Sequence, residues 1–361
     1  MTVPPSIDVV IPVHTATRPI HRAVSSVLAA QSPGVRALVV CHNIDASEIA
    51  TNLHGINDER LVLIEHRDGI HSPAGPLNAG VRAAEADYVT FLGSDDEFGI
   101  GVLDAWADEL RGQQLHIGQL IADNGTHIFA PAPRAGRFEH LDPVKDLLNY
   151  RTAPVGTLVA RALLTSSASP GFIEGVRTGE DIALGAFLWN TAQSITYSRY
   201  SDGYRIREDE HDRVSTELPA LAVLLAPIDG LLAEPWVAGM SARARAALSA
   251  KLIRYQLLEP CRVLARAGRL SGADLQEALR ALTALVEFSP SSLEYLPRRD
   301  AVPARRLLAG DLRAAEQRLA ASGPGSLWER VVPGNPLRLF APEGLICRAI
   351  RHPLISRALR P

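Results

Sequence analysis

Three consecutive carboxylates, Asp95, Asp96 and Glu97, follow directly after the apolar segment 88–92 (YVTFL). Adjacent like charges repel one another, so such a cluster is costly unless a positive charge offsets it. Magnesium or manganese suits this role, because these cations take one or two carboxylates and complete their shell with phosphate oxygens and water. The alternative is structural: Asp96 or Glu97 would face the positive end of a following helix. The spacing alone leaves both interpretations open.

A second acidic segment, 178–181 (TGED), precedes apolar residues at helical spacing. Thr178 and Asp181 are separated as in a capping box, which is the structural interpretation. The functional interpretation makes Asp181 a general base that lies at a helix start in a cleft and removes a proton from a substrate hydroxyl. Spacing alone does not choose between them.

A third charged segment, 204–215 (YRIREDEHDRVS), has the composition of a solvated loop. The alternative is that it supplies a cation for a diphosphate, from Arg205 or Arg207, and a metal ligand from His211. We keep both interpretations.

The elements that would position these residues alternate between strand and helix. Continuous apolar segments at 7–13, 37–41, 60–65 and 88–92 indicate buried strands, and helical periodicity follows Pro19, Pro76 and Leu103. This alternation predicts a mostly parallel sheet, in which ligands bind at the carboxyl ends of the strands. The residues at those ends include Val13, His14, His42 and Asn43.

The rest of the chain shows two patterns, a mixed one before residue 215 and a helical one after it. We expect strands near 127–132 and 194–199 and a helix near Asp142, and from about residue 216 the pattern predicts helices only, with a capping box at Ser271 and Asp274. The predicted organisation is an α/β, Rossmann-like nucleotide-binding domain over 1–215, a helical domain over 216–330 and a basic amphipathic tail over 331–361.

Five segments occur in an order that resembles the family 2 glycosyltransferases, which are inverting enzymes of the GT-A fold. They are 9–13 (VVIPV), 22–31 (RAVSSVLAAQ), 75–84 (GPLNAGVRAA), 87–96 (DYVTFLGSDD) and 179–181 (GED). The resemblance covers roughly residues 6 to 215. It implies a metal site at the aspartate pair, a catalytic base at Asp181, and transfer of a sugar from a nucleotide-diphosphate donor to an acceptor hydroxyl.

The resemblance also implies where the donor and the metal bind. Backbone groups near Pro12, Val13 and His14, together with His42 or Asn43, would hold the base and ribose. Further donor-binding positions are Asn78, Asp95 and Arg207, and the expected ligands of Mn²⁺ or Mg²⁺ are Asp95, Asp96 and His211. A UDP-sugar is the favoured donor, and a glycan or lipid-linked acceptor would place the enzyme in cell-envelope polysaccharide or glycolipid synthesis.

Three positions depart from the family pattern. Gly93 stands where an aspartate is usual, Cys41 and His42 stand in place of an aspartate pair, and Leu77 replaces a common arginine. These departures would also suit a nucleotide-sugar-binding module that has lost turnover. A sugar nucleotidyltransferase is a further alternative, but segment 14–19 (HTATRP) lacks the glycines of its phosphate loop.

Bulk composition narrows the class of protein. The 361 residues include 47% hydrophobic and 21% charged residues, and the net charge of −3 gives no reason to expect a nucleic-acid partner. The three cysteines are far apart and indicate neither a disulfide framework nor a zinc site. Because we find no signal peptide and no transmembrane segment, we expect a cytoplasmic protein, with a homodimer as one option.

The tail over 331–361 carries five arginines, with Arg330 directly before it, and a single acid among large apolar residues. Such a pattern is typical of a helix lying on anionic lipid at the inner face of the plasma membrane. The alternative is a tail that packs back on the protein, which Pro336, Pro342 and Pro353 favour because proline interrupts long helices.

Overall fold

The computed structural model describes residues 5–208, 219–321, 326, 329, 331–333, 335–342 and 345–359. His211 and the predicted domain boundary at 215 lie outside these residues. The strands are β1 (Ile7–Val13), β2 (Val35–His42), β3 (Leu61–His66), β4 (Tyr88–Phe91), β5 (Glu97–Phe98), β6 (Leu115–Ile117), β7 (Gln119–Ile121), β8 (Thr157–Ala160), β9 (Ile195–Tyr197) and β10 (Gly203–Arg205).

Helices pack on both faces of the sheet and make up most of the chain after it. They are α1 (Ile20–Leu28), α2 (Ala46–Asn52), α3 (Ala74–Ala83), α4 (Val102–Glu109), α5 (Arg161–Leu164), α6 (Ile182–Thr191), α7 (Leu221–Ala233), α8 (Ala242–Lys251), α9 (Glu259–Arg266), α10 (Gly272–Phe288), α11 (Ser292–Tyr295), α12 (Arg298–Leu308), α13 (Leu312–Ala320) and α14 (Leu345–Ala358). A π-helical turn, Leu252–Leu258, joins α8 to α9.

The main sheet has seven strands in the order β3-β2-β1-β4-β8-β6-β9. Strands β1 to β4 are parallel, with Ile7 of β1 level with Val35 of β2 and Tyr88 of β4. Strand β8 runs antiparallel to both β4 and β6. A small second sheet, β5-β10-β7, lies beside it. The expectation of a mostly parallel sheet is confirmed.

The apolar strands are buried because helices cover both faces. Along β1, Val9 and Ile11 belong to one core and Val10 to the other. Helix α3 packs especially closely, since a Cβ on Gly80 would lie 2.3 Å from a methyl carbon of Val10. Burial on both faces explains why the sequence of β1 is apolar without alternation.

From Leu221 onward the described residues contain helices and no strand, as the sequence predicts. The capping box at Ser271 and Asp274 is present at the start of α10. The apolar core of this helical part also includes Ile182 and Ala183 of α6. Helix α6 therefore belongs to the core of both parts of the chain.

Two predicted elements are wrong. The segment near 127–132 is not a strand, although His127 forms an isolated bridge with Ile121. Pro131 and Pro133 within and after it lack the N–H groups that a ladder needs. The predicted helix near Asp142 is instead a series of turns followed by a 3₁₀ turn at Leu148–Tyr150, because Leu147 adopts a left-handed conformation (φ 58°).

The described part of the tail packs against the protein. Ile355 of α14 is buried, and the Arg351 side chain donates to the carbonyls of Ala132 and Lys145 at 2.9 and 2.8 Å. Leu337 and Phe340, by contrast, are exposed. None of the described helices combines the length and apolar character that crossing a bilayer requires.

Candidate active site

The aspartate pair lies in the turn that follows β4, at the carboxyl edge of the parallel strands. Asp95 accepts a hydrogen bond from the Arg18 guanidinium, with Nη1 and Oδ2 2.7 Å apart. Its backbone carbonyl accepts from the side chain of Arg22, one turn into α1. Two arginines near the start of α1 thus surround Asp95.

Asp96 is held by the small second sheet. Its carboxylate accepts from the Tyr204 hydroxyl at 2.5 Å and from the Arg207 backbone N–H at 2.8 Å. Burial above all, and then the charge of Asp96, raise the pKa of Tyr204 well above its usual value. The phenol therefore stays protonated and donates to the carboxylate. The structural alternative for these acids is wrong, because Glu97 lies in β5 and α4 begins only at Val102.

Both aspartates face the space beside Gly93. A Cβ at this glycine would lie 3.0 Å from Oδ1 of Asp95 and 2.7 Å from Oδ2 of Asp96. The missing side chain thus leaves room between two carboxylates where a third would be crowded. With glycine instead of aspartate at position 93, the site carries one carboxylate fewer, while Asp95 and Asp96 stay close together.

This pair offers a partial coordination shell. No group of three or more His, Cys, Asp or Glu side chains suited to a metal ion occurs among the described residues. Mg²⁺ or Mn²⁺ does not need one, because two carboxylates, substrate phosphates and water complete its shell. The two carboxylate oxygens beside Gly93 therefore fit a cation that a diphosphate helps to hold.

Beside β1, the ends of β2 and β3 form a polar cluster. Oδ1 of Asp68 lies 2.8 Å from Nε2 of His42, and Oδ2 lies 3.1 Å from Nε2 of His66. The Asn43 side chain accepts from the backbone N–H groups of Asp68 and Gly69. The side chains of His42 and Asn43 thus lie around a carboxylate that sequence reasoning missed, and their predicted role in holding the base and ribose stays a prediction.

Burial by itself would raise the pKa of Asp68. Hydrogen bonds from the Ile70 N–H, His42 and Asn43 outweigh burial and hold that pKa below its usual range. Asp68 therefore remains an anion that orients both polar side chains. It stands two residues beyond β3, so the rule that ligands gather at strand ends was the signal that would have found it.

The remaining predicted donor positions differ in their surroundings. The side chain of Val13 is buried in the core, so only its backbone can face a ligand, whereas His14 is exposed. Pro12 lines the cavity described below. The Arg207 guanidinium contacts Glu97 and lies 2.9 Å from Asp123.

Asn78 is used inside the protein. Its side chain donates to the Phe172 carbonyl and accepts from the Phe172 N–H, both at 2.9 Å, and also donates to Glu174. The structure thus places Asn78 against the loop before the TGED segment. In this arrangement it fixes Phe172, one wall of the cavity.

The second acidic pair, Glu180 and Asp181, lines a cavity of about 140 Å³. Its other walls are mostly apolar, and they include Leu77, Phe91 and Phe172. Asp181 is the N-cap residue of α6 but makes no side-chain capping hydrogen bond. The capping-box interpretation is therefore wrong, and the carboxylate remains available to the cavity.

Burial shapes the protonation of this pair. It raises the pKa of Asp181, against the opposing charge of Lys251, and together with the charge of Asp181 it raises the pKa of Glu180 to about 7. Burial lowers the pKa of Lys251, at the end of α8, to about 8, while the charge of Asp181 opposes that shift. Carboxylates with raised pKa values in a cleft are typical of general bases.

The helical part of the chain also supports the base segment by packing. Gly179 has a left-handed conformation (φ 77°), and a Cβ there would lie 2.9 Å from Cγ of Pro227 in α7. Any larger residue at 179 would meet both backbone strain and this proline. Gly179 thus lets the segment before Asp181 lie directly on α7.

The two acidic pairs are neighbours in space. Gly93 and Tyr204, which contact or flank Asp96, also line the cavity of Asp181. A donor held at the aspartate pair and a hydroxyl beside Asp181 would therefore share one cavity. Sequence reasoning missed Arg18 and Lys251, because neither stands in a recognised motif.

Comparison with known proteins agrees with this geometry. The sequence model of the family described as "Glycosyl transferase family 2" matches residues 8–126. A poly(ribitol-phosphate) beta-glucosyltransferase of Bacillus spizizenii is 25% identical over 220 residues, which cover 58% of this chain. The chain spans about a third of that relative, 34% of its length.

Solved structures share the fold. The S. aureus protein TarS, residues 1–349 in complex with UDP-GlcNAc, superposes with a TM-score of 0.71 at 15% identity, covering 87% of this chain and 90% of that one. The complex of the same fragment with UDP gives a TM-score of 0.68 at 15% identity and the same coverage. Residues 8–126 of this chain are therefore similar to the family 2 glycosyltransferases, and the chain shares the GT-A fold of the solved structures.

Proposed function

We propose that the protein is a metal-dependent, inverting glycosyltransferase that moves a sugar from a UDP-sugar to an acceptor hydroxyl. The observation that carries the proposal is the shared cavity at Gly93 and Tyr204. On one side it meets a carboxylate pair surrounded by hydrogen-bond donors, and on the other a carboxylate pair in apolar surroundings. The first arrangement suits a cation and a diphosphate, and the second suits proton transfer.

The reaction divides between these two sides. Asp95 and Asp96 would hold Mn²⁺ or Mg²⁺, which when bound neutralises the charge that grows on the departing diphosphate. Asp181 accepts the proton of the acceptor hydroxyl while that oxygen attacks the anomeric carbon. Because the oxygen attacks from the face opposite the diphosphate, the anomeric centre is inverted.

The cluster around Asp68 is the proposed site of the nucleotide base. His42 and Asn43 lie beside it, and the exposed His14 and the backbone of Val13 lie on the adjacent strand. Polar groups held in fixed orientations at a strand end suit recognition of a base and ribose. His211 remains a predicted metal ligand outside the described residues.

We propose a cell-envelope polymer or glycolipid as the acceptor, and the relatives narrow the candidates. The Bacillus relative is named for poly(ribitol phosphate), and the solved TarS complexes contain UDP and UDP-GlcNAc. A polyol-phosphate hydroxyl is therefore the first acceptor to test. A sugar nucleotidyltransferase has no support from these relatives.

The proposal is tested by incubating the purified chain with Mn²⁺, UDP-GlcNAc or UDP-glucose, and poly(ribitol phosphate). We expect release of UDP that needs the acceptor and stops with a chelator, and a product whose anomeric configuration, measured by NMR, is opposite to that of the donor. Retention of configuration would exclude the inverting mechanism. Tight donor binding without turnover on any acceptor would favour the alternative of a binding module.

Peripheral membrane contact and dimer formation stay predictions. Exposed Leu337 and Phe340 offer the tail an apolar contact with lipid, although α14 itself packs on the protein. Flotation with anionic liposomes, comparing the full chain with one that ends near residue 333, tests the first. Sedimentation of the full chain tests the second.

A further inference from the structure

Arg18 forms an ion pair with the Asp95 carboxylate, which is one of the proposed metal ligands. It ends the loop after β1, its side chain is only 6% exposed, and its Nη1 lies 2.7 Å from Oδ2 of Asp95. Arg22 contacts the carbonyl of the same aspartate. A buried, charge-assisted contact of this kind is stronger than an ion pair at the surface.

The proposed metal site already contains positive charge. The Arg18 guanidinium lies against the Asp95 carboxylate, Arg22 contacts the backbone carbonyl of the same residue, and Gly93 stands where the family usually carries a third carboxylate. A divalent cation therefore meets a like charge, the Arg18 guanidinium, at one of its own ligands.

A diphosphate changes this balance. It adds negative charge at the carboxyl edge of the strands. A guanidinium binds phosphate oxygens as readily as it binds carboxylate oxygens. Arg18 then has a second anionic partner close to its first. Asp95 becomes available to the cation at the moment when the phosphate oxygens that complete the coordination shell arrive.

We propose that Arg18 is a positioning residue that makes metal binding and donor binding depend on each other. It pairs with Asp95 and exchanges that carboxylate for the diphosphate when donor and cation bind together. The inference rests on the proposed metal-dependent function. In that function the shared phosphate oxygens already couple the two binding events, and the inference adds that Arg18 strengthens this coupling.

Binding measurements separate this coupling from catalysis. Calorimetry and Mn²⁺ electron paramagnetic resonance on the full chain give the Kd for Mn²⁺ with and without UDP. In the native protein we expect UDP to tighten Mn²⁺ binding by roughly 10- to 100-fold, within the usual range of coupling between two sites. Because coupling is reciprocal, Mn²⁺ must tighten UDP binding by the same factor.

The decisive variant is Arg18→Gln. We expect it to bind Mn²⁺ alone about 10-fold more tightly, to bind UDP alone more weakly, and to show weaker coupling than the native protein. Arg18→Lys keeps a charge that can pair with Asp95, so it should retain part of the coupling. Arg82→Gln is the matched control, because it removes an arginine charge from an exposed position at the end of α3.

The outcomes distinguish this inference from the proposed function. If UDP recruits Mn²⁺ to the native protein but Arg18→Gln binds Mn²⁺ alone no more tightly, the role of Arg18 is refuted while the metal site stands. If UDP recruits no Mn²⁺ to the native protein, and Asp96→Ala behaves identically, metal dependence itself fails. Should Arg18→Gln not fold, undiminished coupling in Arg18→Lys still counts against the exchange of partners.

Discussion

Two pairs of neighbouring carboxylates, Asp95–Asp96 and Glu180–Asp181, lie near one edge of the sheet in opposite environments. Asp95 and Asp96 receive hydrogen bonds from an arginine, a tyrosine hydroxyl and a backbone N–H. Glu180 and Asp181 face apolar walls, and burial raises the pKa of both. Donors stabilise charge in the first pair, whereas burial disfavours it in the second.

The difference shows how a fold assigns chemistry to identical functional groups. A carboxylate surrounded by donors keeps its charge and can hold a cation, while one in a cavity can take up a proton near neutral pH. The sequence presents both as short acidic runs before helices. Their surroundings, which come from β10, α3, α6 and α8, decide which of them handles the proton.

The largest effect should follow loss of the base in the apolar pair. Asp181→Asn keeps the shape of the side chain but cannot accept the proton, so we expect turnover to fall by about 10²- to 10⁴-fold. Donor affinity and the melting temperature should stay nearly unchanged. Asp108→Asn on the exposed face of α4 is the control, and near-native turnover of Asp181→Asn would remove this residue from catalysis.

The donor-surrounded pair should control binding instead. Asp96→Ala removes one proposed metal ligand, and we expect Mn²⁺-dependent binding of the nucleotide sugar to weaken by about 100-fold, from the loss of a charge-assisted contact worth roughly 2–3 kcal/mol. Tyr204→Phe, which keeps the carboxylate but removes its donor, should have a smaller effect. Calorimetry with and without chelator measures both, and unchanged binding by Asp96→Ala contradicts the metal assignment.

The pH profile should distinguish the pairs more finely. Lys251 opposes the rise in the pKa of Asp181, so Lys251→Met should raise that pKa further. The base must be ionised to work, and the acidic limb of the turnover profile should therefore move to higher pH, with a several-fold loss of turnover on that limb. Lys145→Met on the surface is the control and should not shift the pH profile. An unshifted profile for Lys251→Met would mean that Asp181 is not the base.

The free energy of unfolding should also depend on pH through Glu180 of the second pair. The pKa of Glu180 is about 7 in the folded protein, against 4.5 for a free side chain, so the folded state keeps a proton that the unfolded chain releases between these values. The stability this group contributes is full below pH 4.5 and is lost as pH rises through 7.

Replacing Glu180 by Gln should abolish that loss. Denaturant unfolding at pH 5 and pH 8 should show the native protein losing on the order of 2 kcal/mol more than Glu180→Gln, since each pKa unit corresponds to about 1.4 kcal/mol. Glu59→Gln at the surface serves as the comparison. Parallel curves for the native protein and Glu180→Gln would mean that the cavity is wetter than its apolar walls indicate.

Sequence patterns predicted the elements that depend only on neighbouring residues, such as apolar strands and helix caps. Strands β1 to β4 are apolar because both faces are covered, and the capping box at Ser271 follows from its spacing. The residues that arrive from distant segments were beyond such rules. Tyr204 reaches Asp96 only through the pairing of β10 with β5, and Lys251 reaches Asp181 only through packing of the helical part.

The contact between Gly179 and Pro227 has a practical consequence for cutting the chain. A fragment ending near residue 215 would contain every family motif and would still lack α7 and α8. The segment before Asp181 would lose the proline beside Gly179, the lysine charge that acts on Asp181 and the helical core that buries Ile182 and Ala183 of α6. The sheet and the helical part are thus expected to depend on each other for folding, and hybrids with related proteins should exchange the helical part together with the segment that contains Asp181.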